Sequence, residues 1–170
     1  MNIVLIGARG SGKSAVSSVI GAITGRPVLS TDAEIERRSG CTVRELVEAR
    51  GWEAFRRIES DVALEFGRLD NTVIDTGGGI VLRAENVAAL KAKGRVFWLR
   101  ASVDTMAGRI QNDTNRPSLT GGKSFVDEIA EVLEVRTPLY AAAADGIVDT
   151  DARTPESVAR EILSRLDHPG

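Results

Sequence analysis

The chain is poor in the residues that most protein chemistry relies on. Its 170 residues hold one cysteine and one histidine. Cys41 alone forms no internal disulfide, which fits a reducing cytoplasm, and it reads as a small packed residue. His168 stands in a Pro-Gly tail, so Ser-His or Cys-His nucleophilic systems and His-rich metal sites are excluded. No apolar run approaches the roughly 18–20 residues that cross a bilayer. The first apolar stretch leads straight into a glycine loop, so no signal peptide is expected. The net charge of −2 offers no dedicated surface for nucleic acid or anionic membrane. Repeats and low-complexity tracts are missing. At 42% hydrophobic and 27% charged, the chain can bury a core and expose an ordinary polar surface. Its length suggests one domain, residues 1–170, with small insertions.

What is present is concentrated near the start. Asn2–Ile6 is a strand-like apolar run. Gly7-Ala8-Arg9-Gly10-Ser11-Gly12-Lys13-Ser14 follows it, and a helix-like run to Thr24 comes next. The pattern G-x-x-x-x-G-K-[ST] between a strand and a helix is a phosphate-binding P-loop. Glycines let successive N–H groups converge on an anion, and the helix adds its positive end. Lys13 reaches the β- and γ-phosphates, and the Ser14 hydroxyl suits Mg²⁺. The chain is therefore expected to bind ATP or GTP.

Further strands are expected at Pro27–Ser30, Asn71–Asp75, Arg95–Leu99 and Gly146–Asp149. Helices are expected at Ser14–Thr24, Arg83–Lys93 and Thr154–Leu166, the last with Thr154 as N-cap and Pro155 at its first position. This alternation predicts an α/β fold, a parallel sheet with helices on both faces. Ligands then bind at the carboxyl ends of the strands. Two segments interrupt the alternation. Thr31–Leu69 is too long for one crossover helix and holds helix-like pieces at Val43–Arg50 and Trp52–Phe66. It reads as an inserted helical subdomain. Gln111–Ser124 is polar and long, either a mobile lid carrying Arg116 or a plain surface loop.

Further motifs follow in order: Ser30-Thr31-Asp32, Phe55-Arg56-Arg57-Ile58-Glu59, Thr76-Gly77-Gly78-Gly79, Arg116-Pro117 and Arg136-Thr137-Pro138-Leu139-Tyr140. With the P-loop, their order and spacing resemble those of shikimate kinases, from about Asn2 to Arg165. The resemblance implies a three-layer α/β/α P-loop fold like that of nucleoside monophosphate kinases. It has a five-stranded parallel sheet, a substrate-binding insertion at about 31–60 and a lid at about 111–124. It implies Mg²⁺-dependent transfer of the ATP γ-phosphoryl group to the 3-hydroxyl of shikimate, on the path to chorismate and aromatic amino acids. A monomer in the cytoplasm is expected.

By the same resemblance, Gly7 to Ala15, Arg109, Arg116 and Arg153 contact ATP. Arg56 and Arg136 hold the substrate carboxylate, and arginine's planar fork matches that group. Asp32 accepts hydrogen bonds from the ring hydroxyls and acts as base. Gly77, Gly78 and Gly79 bring backbone close to substrate, and Arg116 closes over the transferring group. Lys13, Asp32 and Arg116 are thus the catalytic candidates. Glu59 orients Arg56 from about one helical turn away. Simpler readings stand beside these. Asp32 can cap a helix beginning at Ala33, and the three glycines can be a flexible strand exit. A kinase for gluconate or a nucleotide, or a nucleotide-binding module without turnover, are the competing functions.

The chain departs from the family pattern at Ser30, where many members carry the first acid of Asp-x-Asp. Asp75 ends a strand-like run, where P-loop proteins place the acid that organises Mg²⁺. Ser14 and Asp75 are therefore the metal candidates. Ser118, where leucine is common, is expected to matter little.

Overall fold

The structure is a computed structural model describing residues 1–110 and 125–167. Five strands form one wholly parallel sheet in the order β2-β3-β1-β4-β5. They are β1 (Asn2–Ile6), β2 (Val28–Ser30), β3 (Val73–Asp75), β4 (Gly94–Arg100) and β5 (Gly146–Asp149). Every residue of β1 is buried, as a central parallel strand covered on both faces requires. The two-residue period then divides the core. Ile3 and Leu5 join Val16, Ile20, Phe97, Val158 and Ile162 on one face. Val4 and Ile6 join Phe55, Val62, Ile80, Leu90, Trp98 and Tyr140 on the other.

The helices are α1 (Lys13–Thr24), α2 (Thr31–Ser39), α3 (Val43–Gly67), α4 (Ala84–Lys91), α5 (Val103–Ile110), α6 (Phe125–Ala143) and α7 (Pro155–Asp167). α1 and α7 pack together on the first face; α3, α4 and α6 serve the second. The three-layer fold expected from the sequence is present.

Boundaries shift for local reasons. β2 starts at Val28, since Pro27 has no N–H to give and contributes only its carbonyl, to Val73 N–H at 2.9 Å. β3 starts at Val73 because Asn71 is left-handed (φ 56°). α3 is bent by Gly51 (φ 79°, ψ 167°), which separates the two expected helical pieces. Its start carries a capping box between Thr42 and Glu45. α7 begins at Pro155, and Thr154 Oγ1 accepts from Ser157 N–H at 3.2 Å, as expected. α2 differs from expectation. It begins at Thr31, and Ser30 caps it by accepting from Ala33 N–H at 3.3 Å, so Asp32 lies inside the first turn. The capping alternative for Asp32 is thereby removed. α5 and α6 add to the expected elements. The expected lid, 111–124, and His168 lie outside the described residues.

Candidate active site

Two clefts meet at the carboxyl end of the sheet. The first is built around the loop joining β1 to α1. Gly10 (φ 81°) and Gly12 (φ 94°) are left-handed, a conformation that costs other L-residues energy. At Gly10 a Cβ would also come within 2.9 Å of Met106 O and Ile110 Cγ2. Lys13 Nζ donates to the carbonyls of Gly7 (2.9 Å) and Ala8 (3.1 Å), held along its own loop and only 8% exposed. Ser14 Oγ donates to Asp75 Oδ2 at 2.6 Å. Asp75 is brought there by the sheet, paired in register with Leu5 on β1 and Ser30 on β2. Ser30, Asp32, Thr76 and Arg109 also line this cleft.

Ser14 and Asp75 are hard oxygen donors in contact, which fits Mg²⁺ as a partial shell. Among the described residues no three acidic, histidine or cysteine side chains gather around a metal. That is compatible with Mg²⁺, which keeps several waters and takes other ligands from phosphate.

The second cleft, about 740 Å³ including its open mouth, is lined by Trp52, Phe55, Arg56, Glu59, the three glycines and Arg136 among others. The Arg56 guanidinium lies 5.2 Å from the Trp52 ring centre and 5.0 Å from that of Phe55. Its Nη1 donates to Glu59 Oε2 at 2.8 Å. Spacing of three along α3 permits that pair, as expected. Glu59 is fully buried, and burial pushes its carboxyl upward, with Arg56, Arg136 and Arg83 pulling against it. A Cβ at Gly79 would overlap the Arg56 guanidinium. At Gly77 a Cβ would stand 2.8 Å from Asp32 Oδ1 and 3.2 Å from Glu59 Oε1. At Gly78 it would stand 3.5 Å from Arg136 Nη1. The glycines are thus a surface against which Asp32, Arg56, Glu59 and Arg136 converge. Thr31 Oγ1 steadies it by accepting from Gly77 N–H at 2.9 Å. Arg9 and Ile110 line both clefts, so the two are contiguous.

Arg109 donates to Gly10 O (3.1 Å), Thr150 Oγ1 (3.1 Å) and Thr150 O (3.0 Å), tying α5 to the loop and to the end of β5. Arg153 is placed elsewhere. It donates to Asp149 O, Ser157 Oγ and Ser157 O, pairs with Glu161, and lines neither cleft. Arg116 lies outside the described residues. Residues not singled out in the sequence also contribute. Arg83 donates to Arg56 O, Ser60 Oγ and Glu53 Oε1, bracing the turn of α3 that carries Arg56. No local pattern marks that arginine. Trp52 had a signal in its spacing, three and four residues before Phe55 and Arg56 on one helix.

The sheet order, the phosphate loop and the adjoining cationic cleft define a P-loop α/β protein of the small-molecule kinase type. The family model described as "Shikimate kinase" matches residues 9–167. A shikimate kinase of Nitratidesulfovibrio vulgaris is 44% identical over 153 residues, 88% of this chain and 87% of that one. Another, from Symbiobacterium thermophilum, is 40% identical over 171 residues, covering 100% and 98%. A solved shikimate kinase from Acinetobacter baumannii in complex with shikimate superposes with a TM-score of 0.94 at 32% identity, over 99% of this chain and 93% of that one. The chain belongs to the shikimate kinase family. A gluconokinase from Sinorhizobium meliloti (TM-score 0.56, 18% identity) shares the fold alone.

Proposed function

We propose that this protein transfers the γ-phosphoryl group of ATP to the 3-hydroxyl of shikimate. The observation that carries the reading is the continuity of the two clefts through Arg9 and Ile110. A polyphosphate on the loop and a small carboxylated ring between Arg56 and Arg136 would meet beside Asp32. Membership of the family, with relatives named shikimate kinase at 39–44% identity, supports it.

On this reading Arg56 and Arg136 hold the carboxylate, and the Trp52–Phe55 pair fixes the plane of the Arg56 guanidinium. The glycine surface accepts a ring edge that any side chain would push away. Asp32 takes the proton from the attacking hydroxyl as the new O–P bond forms and the bond to the ADP oxygen breaks. Lys13 turns from its loop carbonyls to the β- and γ-phosphates, and Arg116 adds charge over the transferring group. Such positioned cations are the main catalytic means in phosphoryl transfer. Ser14 and Asp75 hold Mg²⁺, which when bound neutralises phosphate charge. α2 and the first part of α3 form the substrate-binding insertion, and 111–124 the lid. The enzyme works as a cytoplasmic monomer, and its preference for ATP over GTP is that of its family.

The test is ADP release by the purified protein with Mg²⁺ and ATP, in the presence of shikimate, gluconate, nucleoside monophosphates or no acceptor. Release that requires shikimate is the expected result. Release with another acceptor keeps a kinase and discards the substrate. A protein that binds ATP and turns over nothing overturns the reading. Arg116→Ala should cut turnover by roughly 10²–10³-fold while ATP still binds.

A further inference from the structure

Tyr140 is the one conspicuous residue of the Arg136–Tyr140 run that the proposed reaction does not use. It is fully buried, 0% exposed, on the inner side of α6. Its ring stacks on Trp98 of β4, centroids 5.7 Å apart and planes inclined by 27°. Its hydroxyl donates to Gly78 O at 2.5 Å. One turn earlier on the same helix, Arg136 stands at the substrate cleft beside Gly78. A single helical turn therefore carries both a cation for the cleft and a hydroxyl that holds the cleft's glycine surface.

The consequence follows from peptide geometry. The Gly78 carbonyl and the Gly79 N–H share one planar trans unit and point in opposite directions. Among the described residues there are no cis peptide bonds. Anchoring the carbonyl on Tyr140 therefore turns the Gly79 N–H away from the Tyr140 hydroxyl. Glycine leaves this plane free to rotate, because no Cβ restrains it. The neighbouring backbone bonds run from Ile80 N–H to Gly77 O and from Leu82 N–H to Gly79 O, so neither fixes the 78–79 plane directly. Thr31 fixes only the Gly77 N–H. In between, the Tyr140 hydroxyl holds the Gly78 carbonyl.

We propose that Tyr140 is a positioning residue for substrate binding. Its hydroxyl sets the Gly78–Gly79 peptide plane so that the Gly79 N–H is presented as a donor to the bound acid. Trp98 keeps the phenol ring in line, and Arg136 is thereby spaced from the same plane. This rests on the reading of the second cleft as the shikimate site.

Tyr140→Phe tests it, since that change keeps ring, volume and stacking and removes one oxygen. Steady-state kinetics of the full chain should show the shikimate KM raised about five- to tenfold, with the ATP KM unchanged and kcat changed less than KM. Amide NMR of the protein without ligands should show the Gly78 and Gly79 resonances shifted or broadened, with those of the P-loop glycines undisturbed. Unchanged shikimate KM together with unmoved Gly78 and Gly79 resonances overturns the proposal. So does a lowered Tm with both KM values intact, which would make the hydroxyl merely structural. If wild-type protein takes no shikimate, the substrate reading fails. The NMR comparison then still decides whether Tyr140 orients the plane.

Discussion

The phosphate cleft and the substrate cleft are built by opposite strategies. The phosphate cleft is mostly backbone, in the eight consecutive residues 7–14 that follow β1 and open α1. The substrate cleft is mostly side chains, brought by α2, α3, the 77–79 turn and α6 from across the sequence. Backbone sites need only local conformation, so glycine and a helix start suffice. Side-chain sites need every contributing element held at the right distance. Here that holding falls on buried or half-buried partners: Glu59 on Arg56, Arg83 behind α3, Thr31 on Gly77 and Tyr140 on Gly78. The first cleft also takes residues from afar: the strand register brings Asp75 to Ser14, and Ser30, Asp32, Thr76 and Arg109 complete its lining.

The contrast can be broken from either side. Lys13→Met should have the largest effect, lowering kcat/KM on the order of 10³-fold for every acceptor, because it removes a donor to developing charge. A loss confined to the shikimate KM would contradict the division of labour. Asp75→Asn should come next, with metal affinity down roughly 10–100-fold. Mg²⁺ titration of nucleotide binding and of turnover should both shift; identical curves would remove Asp75 from the metal site. Arg56→Ala should raise the shikimate KM about 10–100-fold, the range of a lost charge-assisted contact. Gly79→Ala should imitate it with Arg56 still present, because the added methyl occupies the guanidinium's place. Normal shikimate binding by Gly79→Ala would show that the glycine surface is not where the acid sits.

The smallest effect concerns stability alone. Glu34 accepts from Arg37 and Arg38, which hold its carboxyl down at about 2. A folded-state pKa below the unfolded value stabilises the fold above about pH 4.5. That contribution fades as pH falls towards 2. Arg37 and Glu65, partners in this network, are mostly exposed, so solvent screening keeps the gain below about 1 kcal/mol. Urea unfolding of Glu34→Gln should show a weaker dependence on pH between about 5 and 2, with shikimate KM unchanged. A changed KM would mean that the α2–α3 contact near Arg38 and Glu65 also shapes the substrate cleft.

Much of this was legible in the chain. The P-loop was visible because its function lies in contiguous residues. The two longest strands were visible as apolar runs, β1 closed by Gly7 and β4 opened by Gly94. Asp75 as a partner for Ser14 followed from its place at a strand end, and the two are in hydrogen-bond contact. Ser30 was harder, since serine after a strand serves equally as a polar ligand or a cap, and its distance to Ala33 N–H identifies the cap. Arg153 was legible only as an arginine near the last helix; its engagement by Glu161 and Ser157 belongs to the tertiary structure. α6 was obscured by Pro138, which interrupts the helical hydrogen bonds without ending the helix.

The sequence by itself determined the α/β alternation, the phosphate loop, the helix starts at Thr42 and Thr154 and the family. Each depends on residues within a few positions of one another, where sterics and local hydrogen bonds act. Only the tertiary structure decided the sheet order that sets Asp75 beside Ser14, the placement of Arg56 against Gly79, and the anchoring of Gly78 by Tyr140, 62 residues away. Those contacts come from burial of both sheet faces, which brings distant elements together wherever their apolar sides fit. No spacing along the chain records that distance.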